Sequence, residues 1–542
     1  MEKIDALTFK RMIENGAIHL GNHYTDIDAL NVFPVPDGDT GTNMSMTFSA
    51  GVKDALACGS DRVDEIAKRL SKGLLMGARG NSGVILSQIF RGVYQSFDGK
   101  KDINGLELAE AFVNGSRVAY KAVMRPVEGT ILTVIRESAD YTLAFATGKE
   151  DVTPLEVLEY LVKEADESLK RTPELLPVLK EVGVVDSGGA GLLLVLQGFA
   201  MALRGEFLER SEASAVEGAQ SAVESEEFGY CTEFIIQLSD QGMKTFKEDA
   251  LKESLSRIGN SLVVVQDDDI VKVHVHTLTP GDALNLGQRY GEFLKLKIEN
   301  MSVQHENIMV NAKEEFKDHP EKEYAIITVA AGEGLTEVFK ELRADVVISG
   351  GQTMNPSTED FVEAINSCNA RHIFVLPNNS NIVLAAQQAE SICDADQVEV
   401  IVLPTKSIPQ GYAALINFNP EVDAQTNREN MMAAVEHVKT GQVTFAIKDT
   451  TYEGLEIREN EYMGIKEKDI IVSLPDKTAS TRYLLSNMID EDSELVTLFT
   501  GEDVSEEECS EIEEYLEEHY PDVEVEVIDG GQPVYSFIIS VE

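Results

Sequence analysis

Apolar residues recur at three- and four-residue spacing through most of the first two hundred positions, at Phe9, Met12 and Ile13, at Met46, Phe48, Val52 and Leu56, and at Val63, Ile66, Leu70 and Leu74. This is the one-sided pattern of amphipathic helices. Similar stretches cover 84–94, 106–124, 130–146, 155–169 and 190–203, with no strand alternation between them, so residues 1–205 predict an all-α domain of eight or nine helices. The period then changes. Residues 232–238, 262–265, 271–277 and 294–301 read as strands and 244–258 and 281–290 as helices, an order βαββαβ that predicts a ferredoxin-like α+β domain over 228–312. Between these regions, 206–227 is rich in Glu, Ser and Ala and predicts an acidic linker. From 322 onward, short apolar runs at 324–329, 346–349, 372–376 and 398–403 alternate with helical patterns, which predicts a parallel α/β sheet. A second lobe from about Asn427 makes 322–542 a two-lobed α/β domain.

Length agrees with this division, since 542 residues exceed what one core can serve. Charge narrows the partners. With 94 acidic against 46 basic residues the chain carries a formal charge of -48, which argues against nucleic acid or an anionic membrane as a binding surface and favours a basic protein face. The five cysteines, Cys58, Cys231, Cys368, Cys393 and Cys509, are scattered and odd in number, so a disulfide framework is not expected. The first twenty residues lack an apolar signal-like core, and the most apolar run, 191–203, is short and interrupted by Gln197. A cytoplasmic protein without a transmembrane segment is the expectation.

Candidate chemistry begins at 31–43, Asn-Val-Phe-Pro-Val-Pro-Asp-Gly-Asp-Thr-Gly-Thr-Asn. Two prolines keep the stretch out of a helix, and Asp37 and Asp39 alternate with Gly38 and Gly41 just before a helical pattern starts. Paired carboxylates suit a hard cation, and a glycine-flanked helix start suits phosphate. The same residues also suit an Asp-Gly turn with Thr40 or Thr42 as helix cap. Three more segments open helices in this way: Gly77 to Gly83 with Arg79, Asn81 and Ser82, then Arg125 to Thr130, then Val185 to Gly191. Four such helix starts in one bundle favour a magnesium–nucleotide site, while the Gly-x-x-x-x-Gly-Lys-Ser/Thr loop of P-loop enzymes is absent. In the middle region, Val271, Val273 and Val275 alternate with Lys272, His274 and His276, which sets the two imidazoles roughly 7 Å apart along one strand face. With Cys231 on an adjacent strand they suit zinc, or stand as an ordinary solvent-facing pair.

The motifs Asp37-Gly38-Asp39-Thr40-Gly41-Thr42-Asn43, Gly80-Asn81-Ser82-Gly83, Glu128-Gly129-Thr130-Ile131-Leu132 and Asp186-Ser187-Gly188-Gly189, in this order, resemble the nucleotide-binding domain of the dihydroxyacetone kinase L subunit. The longer run from Leu30 to Asp39 resembles the catalytic subunit of bacterial fatty acid kinase. That resemblance implies an antiparallel helical barrel binding ATP and magnesium at one end. Asp37 and Asp39 would hold the metal, and Thr40, Gly41, Thr42, Asn43, Asn81 and Ser82 would meet phosphates. Gly129, Thr130, Leu132 and Asp186 would line the nucleotide pocket. The dihydroxyacetone kinase pattern has a third aspartate where this chain has Asn31, a neutral oxygen ligand, with Asp28 a weaker substitute. Arg79 is the candidate donor to the transferring phosphoryl group, or else it caps a helix or pairs with the acidic loop. Gly229 to Phe234 with His274-Val275-His276 resembles the same family's middle domain, which implies zinc on Cys231, His274 and His276. The last region resembles the two-lobed DegV family of fatty-acid-binding proteins. The implied activity is transfer of phosphate from ATP to a fatty acid carboxylate presented by a DegV-family carrier, for phospholipid synthesis, by an enzyme that is a homodimer. A dihydroxyacetone-type kinase with a substrate-binding partner and a nucleotide-binding scaffold without turnover are the alternatives.

Overall fold

The computed structural model describes residues 2–31, 38–123, 125–210, 230–238, 243, 246–247, 251–252, 255, 259–267, 270–277, 279–300, 322–351, 355–393, 398–446, 449–452 and 454–542. They form two compact units, Met1–Glu209 together with Asp318–Glu542, and Arg210–Lys317.

The first unit begins with the helices α1 (Ala6–Asn22), α2 (Tyr24–Asp28), α3 (Thr40–Ala57), α4 (Val63–Met76), α5 (Gly80–Phe97), α6 (Gly105–Ala122), α7 (Ile131–Thr147), α8 (Pro154–Leu175), α9 (Pro177–Val182) and α10 (Ser187–Arg204). The long helices pack in chain order from α3 to α8; α8 then meets α10, α10 meets α1, and α1 returns to α3, so the series closes on itself. Inside lie the apolar positions that set the helical periodicity, with Phe48, Phe90 and Phe199 meeting at 5.2 to 6.3 Å between ring centroids. Two features depart from the sequence expectation. A short antiparallel pair, Lys3–Ile4 with Ile103–Asn104, interrupts the helices, and the glycines are not confined to helix junctions. Gly16 of α1 faces Gly198 of α10, where a Cβ on Gly198 would come within 2.6 Å of the Gly16 Cα. Two backbones can approach this closely only without side chains between them, and the short distance lets Asn15 Nδ2 donate to the Gly198 carbonyl at 2.8 Å. Among the described residues, α10 is long and apolar enough to cross a membrane by length and composition, but 67% of it is buried in this unit.

The rest of the first unit is α/β. Strands β7 (Lys322–Ala330), β8 (Val346–Ser349), β9 (Ala370–Leu376) and β10 (Glu399–Val402) form a parallel sheet in the order β10-β9-β7-β8. Its strands are near-continuous apolar runs because helices cover them, among these α12 (Glu333–Glu341), α13 (Thr358–Ser367) and α14 (Val383–Ile392). A six-stranded mixed sheet follows, built from Lys439–Phe445, Tyr462–Lys466, Asp469–Leu474, Leu495–Gly501, Glu524–Gln532 and Tyr535–Val541.

The second unit holds strands β3 (Tyr230–Leu238), β4 (Gly259–Asp267), β5 (Ile270–Thr277) and β6 (Gly291–Asn300), ordered β4-β5-β3-β6 and all antiparallel, with helix α11 (Pro280–Gln288). Val271, Val273 and Val275 are buried in its core.

Candidate functional site

Helices α3, α5, α7 and α10 all start at one end of the helical domain, because the connected series alternates in direction and α4, α6 and α8 run back. The four glycine-bearing segments are therefore brought together. Gly191 packs on Met44, joining the starts of α10 and α3, and Gly80 packs on Asn43, joining the starts of α5 and α3.

At the head of α3 two carboxylates meet. Asp39 is 8% exposed and occupies the cap position of the helix. Burial raises its pKa, opposed by hydrogen bonds from Asn43 and Asn355, and the Asp28 charge raises it further. Asp28 takes the capping bonds that Thr40 or Thr42 was expected to make. Its Oδ1 accepts the Gly41 N–H at 2.6 Å and the Thr42 N–H at 3.1 Å, while Oδ2 accepts the Thr42 hydroxyl at 2.7 Å. The arrangement requires glycine at 41, since a Cβ there would stand 2.1 Å from the Tyr24 carbonyl oxygen. Burial also lifts the Asp28 pKa, against those three bonds. Asn31 Nδ2 lies 3.5 Å from Asp39 Oδ1. Asp37 falls outside the described residues.

The second segment carries a bond pattern that spans the unit. The Arg79 backbone N–H donates to Thr47 Oγ1 at 3.1 Å, and Gly80 turns with φ of +58°, where a Cβ would meet Asn43 Nδ2 at 2.7 Å. Arg79 Nη1 donates to the Asn355 carbonyl at 2.9 Å and lies 3.6 Å from Asp360 Oδ2. Asn81 makes long contacts to Ser380 O at 3.4 Å and Asn381 Oδ1 at 3.5 Å, and Ser82 sits in the first turn of α5.

The third and fourth segments share one carboxylate. Asp186 Oδ2 accepts the Gly189 N–H at 2.7 Å, capping α10, and the Ile131 backbone N–H at the start of α7 also bonds to it. Burial pushes its pKa up to about 6 despite those two donors. Thr130 caps α7, with its hydroxyl accepting from the Leu132 N–H at 3.4 Å and donating to Val127 O at 2.8 Å. Gly129, at φ of +84°, donates its N–H to Thr133 Oγ1 at 2.8 Å, and Leu132 is buried. Both His19 and His23 lie apart from these bonds, His19 against Gln197 at 3.3 Å and His23 on Asp26 at 3.0 Å.

Sequence reasoning missed the contribution of the α/β domain. The loops after β8 and β9 face the starts of α3 and α5, and the Asn355 amide donates to Asp39 Oδ2. Thr358 N–H donates to Ala78 O at 3.1 Å, Gln388 Nε2 to Leu75 O at 2.7 Å, and Gln88 Nε2 to Gln388 Oε1 at 3.1 Å. The carboxyl ends of parallel strands are where open α/β sheets hold ligands. Here Asn378 closes much of that edge: Nδ2 donates to Thr328 Oγ1 at 2.7 Å and Val329 O at 3.0 Å, and Oδ1 accepts from Thr405 Oγ1 at 2.8 Å.

In the second unit, backbone register sets position 231 opposite 276 and position 233 opposite 274 on neighbouring strands. The side chains of Cys231, His274 and His276 lie outside the described set, and no His, Cys, Asp and Glu cluster fit for a metal occurs among the described residues.

Buried carboxylates facing helix starts, in a helical domain joined to an α/β domain, define a multidomain protein of kinase type, and family comparison agrees. The DAK2 domain matches residues 34–201, the FakA-like middle domain of fatty acid kinase 227–308, and the FakA-like C-terminal domain of fatty acid kinase 325–542. Protein YloV of Bacillus subtilis (strain 168) is 48% identical over 554 residues, 99% of each chain. An uncharacterized protein of Staphylococcus saprophyticus is 46% identical over the full length of both. The crystal structure of the DegV family protein Cg2579 from Corynebacterium glutamicum aligns at a TM-score of 0.33 and 14% identity, covering 41% of this chain and 97% of that one. The chain belongs to the FakA-like family of fatty acid kinase proteins, with YloV among its relatives.

Proposed function

We propose that this protein is an ATP-dependent kinase that phosphorylates the carboxylate of a fatty acid held by a separate fatty-acid-binding protein. The observation that carries the reading is the pair of buried carboxylates, Asp28 and Asp39, set against the gathered helix starts of a DAK2-type domain. The closed series of helices supports a barrel, and the antiparallel order β4-β5-β3-β6 supports a ferredoxin-like middle domain.

The donor set suits magnesium: Asp39 with Asp37 as charged oxygen ligands, the Asn31 amide as a neutral one, and no soft donor beside them. Bound magnesium would neutralise phosphate charge, the main requirement of phosphoryl transfer. Among the chain's own groups, Asn43, Asn81 and Ser82 would orient the phosphates, and Asp186 with the Gly129 to Leu132 turn would hold the nucleoside. Arg79 would add positive charge at the transferring group, its guanidinium kept in place by Asn355 O and Asp360. A fatty acid carboxylate is ionised at neutral pH and needs no general base, which fits two histidines engaged elsewhere. Zinc on Cys231, His274 and His276 remains part of the proposal, as does a homodimer in the cytoplasm. The Asn378 network, which fills the strand ends with protein bonds, favours the α/β domain as a docking face for the carrier over a lipid pocket of its own.

The test is incubation of the full chain with ATP, MgCl2, a fatty acid and a purified fatty-acid-binding protein, trapping acyl phosphate with hydroxylamine. Acyl hydroxamate that depends on the binding protein is expected. Nucleotide binding without any such product would reject the kinase and favour a nucleotide-binding scaffold.

A further inference from the structure

Asn355 comes from the α/β domain, yet it is one of the most enclosed polar residues at the head of α3, at 2% exposure. Three backbone contacts deliver it. Its own carbonyl accepts from Arg79 Nη1, Ser357 bridges Arg79 as a strand pair, and Thr358 N–H donates to Ala78 O. The side chain is thus not what docks the loop. Its amide N–H donates to Asp39 Oδ2, an orientation fixed by chemistry, since a carboxylate facing an amide oxygen would set two acceptors together. The Asn355 Oδ1 is then turned away from Asp39, and it is buried with no hydrogen-bond partner. A buried acceptor left unpaired costs roughly 1–3 kcal/mol, so its persistence calls for a missing donor. Beside it, Gly80 leaves open the volume a side chain would fill: a Cβ there would reach within 3.6 Å of Asn355 Nδ2.

We propose that Asn355 is a positioning residue of the metal and nucleotide site, its amide N–H holding the Asp39 carboxylate and its Oδ1 accepting from the water shell of a divalent cation bound there. The inference rests on the magnesium–nucleotide reading of this site. It also makes the α/β domain part of the nucleotide site, which is complete only when that domain is docked.

The test is nucleotide binding by the full-length chain, read from a fluorescent ADP analogue titrated with Mg2+. Asn355→Ala leaves every backbone docking contact in place, so its unfolding temperature without magnesium should match the parent's. The Mg2+ concentration for half-maximal binding should rise about tenfold or more, the range found when partners of metal ligands are removed. Asn355→Asp restores an oxygen and should bring the midpoint back toward the parent value. It also keeps the test decisive if the alanine variant folds poorly. An unchanged midpoint in both variants, or an Asp variant that behaves as the Ala variant does, overturns the proposal. A parent chain that binds no nucleotide at any Mg2+ concentration overturns the magnesium–nucleotide reading as well, whereas normal parent binding with unchanged variants removes only the role of Asn355.

Discussion

Replacing Asp186 with Asn should change the pH dependence of stability in a calculable way. In the folded chain burial raises this carboxyl from 3.8 to about 6, and at 1.36 kcal/mol per unit the full shift is worth about 3 kcal/mol. The folded state therefore binds the proton more tightly than the unfolded one. Stability from this group is fully present below about pH 4 and is lost as pH rises through about 6. The accessible window is narrower, because the sequence isoelectric point near 4.5 invites precipitation in acid. Between pH 8 and pH 5.2 the linkage relation returns about 1 kcal/mol to the parent, or about 2–4 °C in unfolding temperature for a domain of this size. Asp186→Asn cannot ionise, and its one amide oxygen must serve donors from both Gly189 and Ile131. The variant should be the more stable protein at pH 8, and its lead should shrink by about 1 kcal/mol at pH 5.2. Matched thermal scans of parent and variant at four pH values, without nucleotide or divalent cation, measure this. Parallel curves across the window would refute the assignment of a proton-holding Asp186.

Three further outcomes are expected. Asp37→Ala and Asp39→Ala should each abolish ATP- and magnesium-dependent turnover, by roughly 10³-fold or more if each supplies a metal charge, and near-parent rates for either would reject the metal assignment. Gly198→Ala should cost roughly 2–3 kcal/mol despite the better helix propensity of alanine, because the new Cβ meets the backbone of Asn15 and Gly16 at 2.6 to 2.8 Å. Gly21→Ala, whose Cβ would find nothing nearer than Ser45 Oγ at 3.7 Å, should be neutral or stabilising, and denaturant midpoints for the two variants check the contrast. Gln388→Ala should strand Gln88, which is 6% exposed, and speed amide exchange at Leu75 to Arg79 and at 357 to 361 relative to the rest of the unit, read by hydrogen exchange mass spectrometry.

The helices were legible because a ring of amphipathic helices around one core writes its period into the sequence, and Phe9, Phe48 and Leu70 all lie buried where that period puts them. The parallel strands were legible as unbroken apolar runs, as at 326–330 and 373–376. Helix starts could be read as a set because each announces itself with glycine and a small polar cap, Thr130 and Asp186 among them. Two things could not be read. Asp28 caps α3 from another helix, thirteen residues before Gly41, and no local pattern marks a cap supplied at that separation. Asn355 reaches Asp39 across 316 positions, and its loop looks from sequence like any strand-end loop of an α/β sheet. Contacts between domains depend on the docking of finished surfaces, which period and propensity do not encode.

The division of the chain into a split unit and an enclosed one has a consequence for its biosynthesis. Residues up to 209 emerge from the ribosome first, but the partner of Asp39 sits at 355. At 5–20 residues per second, about 7 to 30 s of translation separate the helical domain from the arrival of Asn355. During that interval Gln88 and the Leu75 carbonyl, later paired with Gln388, face water instead. A nascent or prematurely ended chain can thus hold a folded helical domain whose phosphate end is still unfinished. The order of synthesis itself then withholds the nucleotide site until the α/β domain has been made.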